Sequence, residues 1–147
     1  MREYDLNRIE GVWYEVARMP FFLSNKLVNT VDIYTFREDG TIEIIYEGYK
    51  KTPEGKKKTY VSTAWIPDQG VPGLLKVKFA GLLTKDYRII MRDDEYTWMV
   101  VTSESNSFLW FMSRTPDMEE KLYQKLIAAA AVQGFEVDRL QRVLQQW

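Results

Sequence analysis

The run Gly11-Val12-Trp13-Tyr14-Glu15-Val16-Ala17-Arg18 decides how the rest of the chain is interpreted. It is rich in β-branched and aromatic residues, and Pro20 stops it, as is typical of a β-strand. Outward from this run, short β-rich segments follow one another with turn residues between them. Regular spacing of this kind predicts a β-sandwich or a β-barrel.

Seven further strands are predicted, and hairpin signals such as Glu38-Asp39-Gly40 separate them. Eight antiparallel strands can close on themselves, which removes exposed sheet edges. At this strand number the interior holds its own side chains or one small ligand. The predicted strands after the first are Val28–Phe36, Thr41–Tyr49, Thr59–Ile66, Leu74–Phe79, Tyr87–Met91, Tyr96–Thr102 and Phe108–Ser113.

The spacing of apolar residues changes after Ser113. Thr115-Pro116-Asp117 is typical of a helix start, with an N-cap, an N1 proline and an acidic first turn. Gly134 is the predicted stop. Met118, Leu122, Leu126 and Ala129 repeat between them at helical spacing. One helix near the C-terminus is therefore predicted to pack on the outer barrel wall.

Composition excludes several classes of function. The 147 residues suit one domain, residues 1–147, and the net charge of −1 argues against a nucleic-acid partner. No apolar stretch is long enough for a membrane-spanning helix. The sequence contains no Cys and no His, which excludes thiol nucleophiles, disulfides and imidazole ligands to metal or haem. The remaining routes to catalysis are carboxylate pairs, Lys, Tyr and Arg. We expect no metal, no cofactor and no enzymatic activity.

Three segments carry a resemblance to a known family. The first strand matches G-x-W-Y-E-[IV]-A-R, Asp94-Glu95-Tyr96 lies where a T-D-Y-like turn is found, and Ser113-Arg114-Thr115-Pro116 ends the last strand. In order and spacing they cover nearly the whole chain. The chain resembles the lipocalins, most closely the bacterial, apolipoprotein D-like branch.

The resemblance implies an all-β fold: an eight-stranded, antiparallel, up-and-down barrel with one C-terminal helix outside. It also implies that Trp13 closes one end of the barrel and that Arg114 lies across the Trp13 indole, a favourable cation–π arrangement. The family has a short ninth strand, whereas Leu140, Val143, Leu144 and Trp147 are spaced like a helix face. Residues 136–147 are therefore left open between a strand and a helix.

Strand alternation, with its parity set by the resemblance, predicts which residues face the interior. We expect Asp32 or a hydroxyl of Tyr34, Tyr46 or Tyr87 to meet the polar end of a ligand. The alternative is that these side chains simply fill a core. The predicted ligand-binding residues are Asp32, Tyr34, Ile44, Tyr46, Val77, Phe79, Tyr87, Ile89, Trp98, Phe108, Trp110 and Met112. Met91, Tyr96 and Val100 are predicted to face the same way.

The leading hypothesis is a non-enzymatic carrier or scavenger of a small hydrophobic ligand; the resemblance suggests a fatty acid or a lysophospholipid. A natural or engineered barrel holding a flat aromatic chromophore is an alternative. So is a binding module for another protein. A lipid-modifying enzyme would need two interior acids, and only Asp32 and Glu15 qualify.

The loop residues, the basic hairpin and the family resemblance bear on partners and location. Pro20-Phe21-Phe22-Leu23 is interpreted as a lid, a membrane-touching tip or a buried loop. The basic hairpin is a solvated turn or a contact for anionic lipid; its lysines are Lys50, Lys51, Lys56, Lys57 and Lys58. We expect a monomer or weak dimer. The resemblance implies the periplasm or outer membrane, although Met1-Arg2-Glu3-Tyr4 shows no signal-peptide core and no Cys is present for lipidation.

Overall fold

The computed structural model describes residues 6–20, 26–79, 83–103 and 108–147, without the side chains of Phe79 and Leu83. The predicted loop residues Phe21, Phe22 and Leu23 lie outside the described part. The strands are β1 (Gly11–Arg18), β2 (Leu27–Phe36), β3 (Ile42–Lys50), β4 (Lys57–Trp65), β5 (Leu74–Phe79), β6 (Leu83–Arg92), β7 (Trp98–Thr102), β8 (Leu109–Ser113) and β9 (Gln141–Arg142). The helix α1 spans Glu120–Val132, and 3₁₀ turns span Leu6–Ile9 and Val137–Arg139.

The first eight strands form a closed antiparallel barrel, as predicted. Each of β2 to β8 pairs with its neighbour in sequence, and β1 closes the ring by pairing with both β2 and β8. Each of these eight strands therefore has a hydrogen-bonded neighbour on both sides over at least part of its length.

The seam between β1 and β2 is short. The two strands pair only from Gly11 opposite Tyr34 to Tyr14 opposite Val31. Beyond that point β1 has a register shift between Glu15 and Ala17, and Asn29 of β2 takes a positive φ of 52°. The two strands therefore part over the second half of the seam.

The C-terminal tail fills this gap. β9 pairs with Ala17 and Arg18, and the Gln145 amide Nε2 donates to the backbone oxygens of Glu15 and Thr30, both at 2.9 Å. Residues 136–147 thus form a 3₁₀ turn, a short strand and an extended end. The short ninth strand implied by the resemblance is present. The tail forms no α-helix, although Leu140, Val143, Leu144 and Trp147 are spaced like a helix face.

Buried side chains form two clusters, one on each side of the barrel wall. The inner cluster includes Trp13, Tyr34, Leu75, Val101 and Met112. The outer cluster joins β1, β7 and β8 to the helix; its fully buried members are Ala17, Met19, Val100, Leu109, Phe111 and Ala130. The helix therefore packs on the outer wall, as predicted.

The helix begins later than predicted. Its N-cap is Glu119, not Thr115, because the Thr115 hydroxyl donates to the Asp117 carbonyl instead of accepting a backbone N–H. Its C-terminal end matches the prediction: Gly134 has φ 97°, and the Phe135 and Gly134 amides donate to Ala130 and Ala131, a Schellman arrangement. Within the described residues no helix is long and apolar enough to cross a membrane.

Trp13 fills the end of the barrel next to the Leu6–Ile9 turn. It is fully buried, and its indole Nε1 donates to the Ile9 carbonyl at 2.8 Å. The Arg114 guanidinium lies 4.0 Å from the centroid of the Trp13 ring. It also donates to the carbonyls of Arg8 at 2.7 Å and Val12 at 3.0 Å. One side chain thereby ties the N-terminal turn and β1 to the end of β8.

Replacing Arg114 by Lys should destabilise the fold, because an ammonium group cannot stack on Trp13 and reach both carbonyls at once. We expect a loss of about 1–3 kcal/mol in the free energy of unfolding, measured by urea denaturation. Exposed Arg139 provides the matched control: Arg139→Lys should change stability by less than about 0.5 kcal/mol. Equal effects of the two substitutions would contradict the role given to Arg114.

Candidate functional site

The strand register identifies the inner wall, since residues directly opposite one another on neighbouring strands share a face. From Trp13 the inward positions run to Asp32 on β2, Tyr46 on β3 and Tyr60 on β4. Ten of the predicted ligand-binding residues lie on this wall: Asp32, Tyr34, Ile44, Tyr46, Val77, Tyr87, Ile89, Phe108, Trp110 and Met112. Phe79 pairs with Ser62 and Leu83, but its side chain lies outside the described part. Contact with a ligand remains a prediction for all of them.

Trp98 faces the other way, so its prediction as an inward residue is wrong. Its side chain packs in the outer cluster, and it pairs with Ser113, next to inward Met112. Val100 also lies in the outer cluster, so its prediction as an inward residue is wrong as well. The predicted alternation started from Tyr96, but Tyr96 belongs to a turn with φ 55°. The Asp93 carboxylate caps that turn by accepting from the Thr97 and Trp98 amides. The alternation restarts at Trp98, which puts Met99 and Val101 inside.

Met91 is also an outer-cluster residue, contrary to prediction. The register of β6 against β7 shifts between Ile89 and Met91. A bulge of this kind inserts one extra residue, so every later side chain changes face. No pattern in the sequence marks the position of this bulge.

Burial along the inner wall changes from one end of the barrel to the other. At the Trp13 end, Tyr34 and Met112 have no exposed area. At the opposite end, inward Tyr46, Tyr60 and Phe108 are only half-buried. The inner wall is therefore accessible from the end opposite Trp13.

Aromatic rings line two parts of this wall, one at β6 and β8 and one at β3 and β4. Tyr87 stacks on Trp110 with ring centroids 6.1 Å apart, and Phe108 stacks on Trp110 at 6.0 Å with planes 9° apart. Tyr46 and Tyr60 stack at 6.2 Å. Such rings present large apolar faces and few polar atoms, which suits contact with an oily molecule.

A compact polar cluster is buried in the same wall. Arg18 donates from Nη1 to Glu15 Oε1 at 3.3 Å and to Thr30 Oγ1 at 3.1 Å, and from Nη2 to the Leu27 carbonyl at 2.6 Å. Tyr46 donates its hydroxyl to Glu15 at 3.4 Å. Glu15, Arg18 and Asp32 are each less than a tenth exposed.

Burial controls the protonation of the two acids. Loss of hydration raises the pKa of Asp32 well above its usual range, and the Glu15 carboxylate raises it further. Burial also raises the pKa of Glu15, although Arg18 opposes that shift. A hydrogen bond from Asp32 to Glu15 favours charge on Glu15 and a proton on Asp32. With a proton on Asp32, the cluster contains one carboxylate, one guanidinium and one neutral acid.

Sequence analysis missed Arg18 and gave Glu15 only a minor place. In a regular strand, residues three apart face opposite sides. The register shift after Glu15 turns Arg18 inward, opposite Trp110. Buried charges are usually paired with an opposite charge. The presence of Glu15 and Arg18 in the same strand was therefore the one sequence feature that could have indicated a buried ion pair. Within the described residues no cluster of acids could hold a metal ion.

Replacing Asp32 by Asn should change the pH dependence of stability. An acid whose pKa is raised by folding stabilises the fold below its unfolded pKa of about 3.9, and this stability is lost as pH rises through the folded pKa. Wild-type protein should therefore lose up to about 1.4 kcal/mol per pH unit through this group above about pH 4. Asp32→Asn keeps a donor to Glu15 and removes this loss.

Urea unfolding at several values between about pH 4 and pH 8 measures this difference. The stability of Asp32→Asn relative to wild type should grow as pH rises. Asp138→Asn, at an exposed position, should leave the curve unchanged. A constant difference between Asp32→Asn and wild type over this range would show that Asp32 is already ionised.

Comparisons with known proteins agree with this architecture. The lipocalin-like domain family matches residues 4–145. The outer membrane lipoprotein Blc of Citrobacter freundii is 33% identical over 140 residues, covering 95% of this chain and 78% of the relative. The temperature-induced lipocalin-1 of Arabidopsis thaliana is 31% identical, covering 96% and 79%.

Among solved structures, lobster apocrustacyanin A1 superposes with a TM-score of 0.78 at 17% identity, covering 97% of this chain and 81% of that one. At this identity the likeness concerns the fold alone. The family match and the bacterial relative each span nearly the whole chain, from the Trp13 strand to the tail that seals the seam. The chain belongs to the lipocalin family.

Proposed function

We propose that the protein binds one small hydrophobic molecule inside the barrel and carries or sequesters it without changing it chemically. One observation carries the proposal: the inner wall is largely apolar apart from one buried polar cluster, Trp13 fills one end, and side chains become accessible at the opposite end. A single-chain lipid, the class suggested by the family resemblance, has the shape for a hollow of this form.

The energetics favour useful affinity. A ligand that buries about 400 Å² of apolar surface gains about 10 kcal/mol. Lost translational and rotational freedom costs at least about 4 kcal/mol. The remainder is at most about 6 kcal/mol, which corresponds to a Kd no tighter than tens of micromolar. Ring contacts with Trp110 and Tyr87 would add to the favourable free energy of binding.

A binding role also accounts for the two interior acids. Glu15 and Asp32 hydrogen-bond to each other, and Glu15 is paired with Arg18. Both acids are therefore engaged by protein groups. This arrangement favours orientation of a ligand over acid–base chemistry on it.

The row of stacked rings favours a second candidate, a flat conjugated ligand. Tyr87, Trp110 and Phe108 lie in nearly parallel planes, and a planar polyene would stack on such faces. Retinol should then bind, whereas a saturated chain of similar length should not. Binding of both molecules would favour the lipid carrier.

The bacterial relatives are outer membrane lipoproteins, and we propose a location in the cell envelope for this chain. Fractionation of the producing cells tests this. Recovery with envelope proteins is expected, and recovery with cytosolic proteins would contradict it.

Two neighbouring residues of β4 test the binding site. Ser62 faces inward opposite Ile44, and Thr63 faces outward opposite Lys78. The probe is N-phenyl-1-naphthylamine, a neutral fluorophore that brightens in apolar surroundings. We expect one probe per chain, at least a tenfold weaker Kd in Ser62→Phe, since the new ring occupies the hollow, and less than a twofold change in Thr63→Phe.

Unfolding measurements accompany this titration. A solid interior would be overpacked by Ser62→Phe and would lose about 1–3 kcal/mol of stability. Absence of probe binding to wild-type protein would refute the proposed function. Equal loss in the two variants would place the probe outside the barrel.

A further inference from the structure

One buried polar atom in the inner wall makes no hydrogen bond to the described part of the protein. Asp32 Oδ1 is buried and has no hydrogen-bond partner among the described residues. An unpaired buried acceptor is unfavourable because it has lost its hydrogen bonds to water, so such an atom is expected to gain a partner. Asp32 lies near the hydroxyls of Tyr34, Tyr46 and Tyr87 and near the Glu15–Arg18 pair.

The donors of Arg18 and Tyr46 are already engaged with protein acceptors. Arg18 donates to Glu15, Thr30 and the Leu27 carbonyl, and Tyr46 donates to Glu15. Tyr34 and Tyr87 hydrogen-bond to each other, which uses one of their two hydroxyl protons. The acceptor that the cluster offers to a guest is Asp32 Oδ1.

The charge balance of the cluster points the same way. With its proton on Asp32, the cluster has no net charge, because Glu15 and Arg18 cancel. A ligand carboxylate placed there would add an uncompensated negative charge in a buried site, which is costly. A ligand hydroxyl adds no charge and supplies the missing donor.

We propose that the interior polar cluster selects single-chain lipids with an uncharged, hydrogen-bond-donating end, such as a hydroxyl, which donates to Asp32 Oδ1, over chains that end in a carboxylate. The inference rests on the proposed function and narrows its ligand class. It disfavours the fatty acid that the family resemblance suggested.

A lipid could also bind in the opposite orientation, with its polar end at the accessible end of the barrel, and Lys85 is the candidate partner for that polar end. Lys85 pairs with inward-facing Val77 near the accessible end, and it is half-buried. A fatty acid could place its carboxylate at Lys85 and its chain toward Trp13. The orphaned Asp32 oxygen would then face a hydrocarbon chain and stay unpaired, which is why we favour the deep polar end.

Displacement of bound N-phenyl-1-naphthylamine by 1-decanol and by decanoate decides between these arrangements. The two molecules have equal chain length, and decanoate is ionised near neutral pH. We expect decanol to bind wild-type protein at least tenfold more tightly than decanoate. Decanoate binding as tightly as decanol would overturn the inference and leave the proposed function standing. Displacement by neither molecule would overturn both.

Three variants locate the polar contact. Asp32→Leu removes the acceptor and should weaken the affinity for decanol at least tenfold, with a smaller effect on the affinity for decanoate. Asp32→Asn keeps an acceptor oxygen, a donor to Glu15 and the charge balance, and it should keep the preference for decanol. Lys85→Gln should leave decanol affinity unchanged. The inference would be overturned if Asp32→Asn lost the preference for decanol over decanoate, or if Lys85→Gln weakened the affinity for decanol.

Discussion

Closure of the barrel depends on β1, which must hydrogen-bond to β8 on one side and to β2 on the other. β1 pairs with both neighbours only as far as Tyr14. Beyond Tyr14, β1 continues to pair with β8 through the register shift after Glu15, but it no longer pairs with β2. The C-terminal tail then supplies the missing hydrogen bonds, with Gln145 bridging the carbonyls of Glu15 and Thr30. The end of the chain is thus part of the barrel wall.

The same register shift creates the polar cluster. By turning Arg18 inward beside Glu15, it places an ion pair in an apolar interior, where replacement by hydrophobic residues often costs nothing. The cluster formed by Glu15, Arg18, Thr30 and Asp32 gives one depth of an otherwise apolar inner wall a defined polarity. Asp32 keeps an oxygen without a partner among the described residues.

Local chemistry was sufficient to predict much of the barrel, and with the parity set by the family resemblance it gave most of the inner wall. Leu75 and Val77 alternate with Lys76 and Lys78, so period 2 alone gave their orientation. The Arg114–Trp13 contact came from the family resemblance, because no local pattern links residues so far apart. Predictions failed where the backbone departs from a regular strand: at the turn before Trp98 and at the bulges near Val16 and Met91. These irregularities arise from long-range pairing, which a single sequence does not reveal.

The central claim is that a guest molecule occupies the barrel interior. Nuclear Overhauser effects between bound 1-decanol and methyl-labelled protein test it most directly. The account predicts contacts from the decanol chain to the inward methyl groups of Ile44, Val77 and Val101, and none to the exposed methyl groups of Val61 and Val132. Contacts confined to the exposed groups would contradict it.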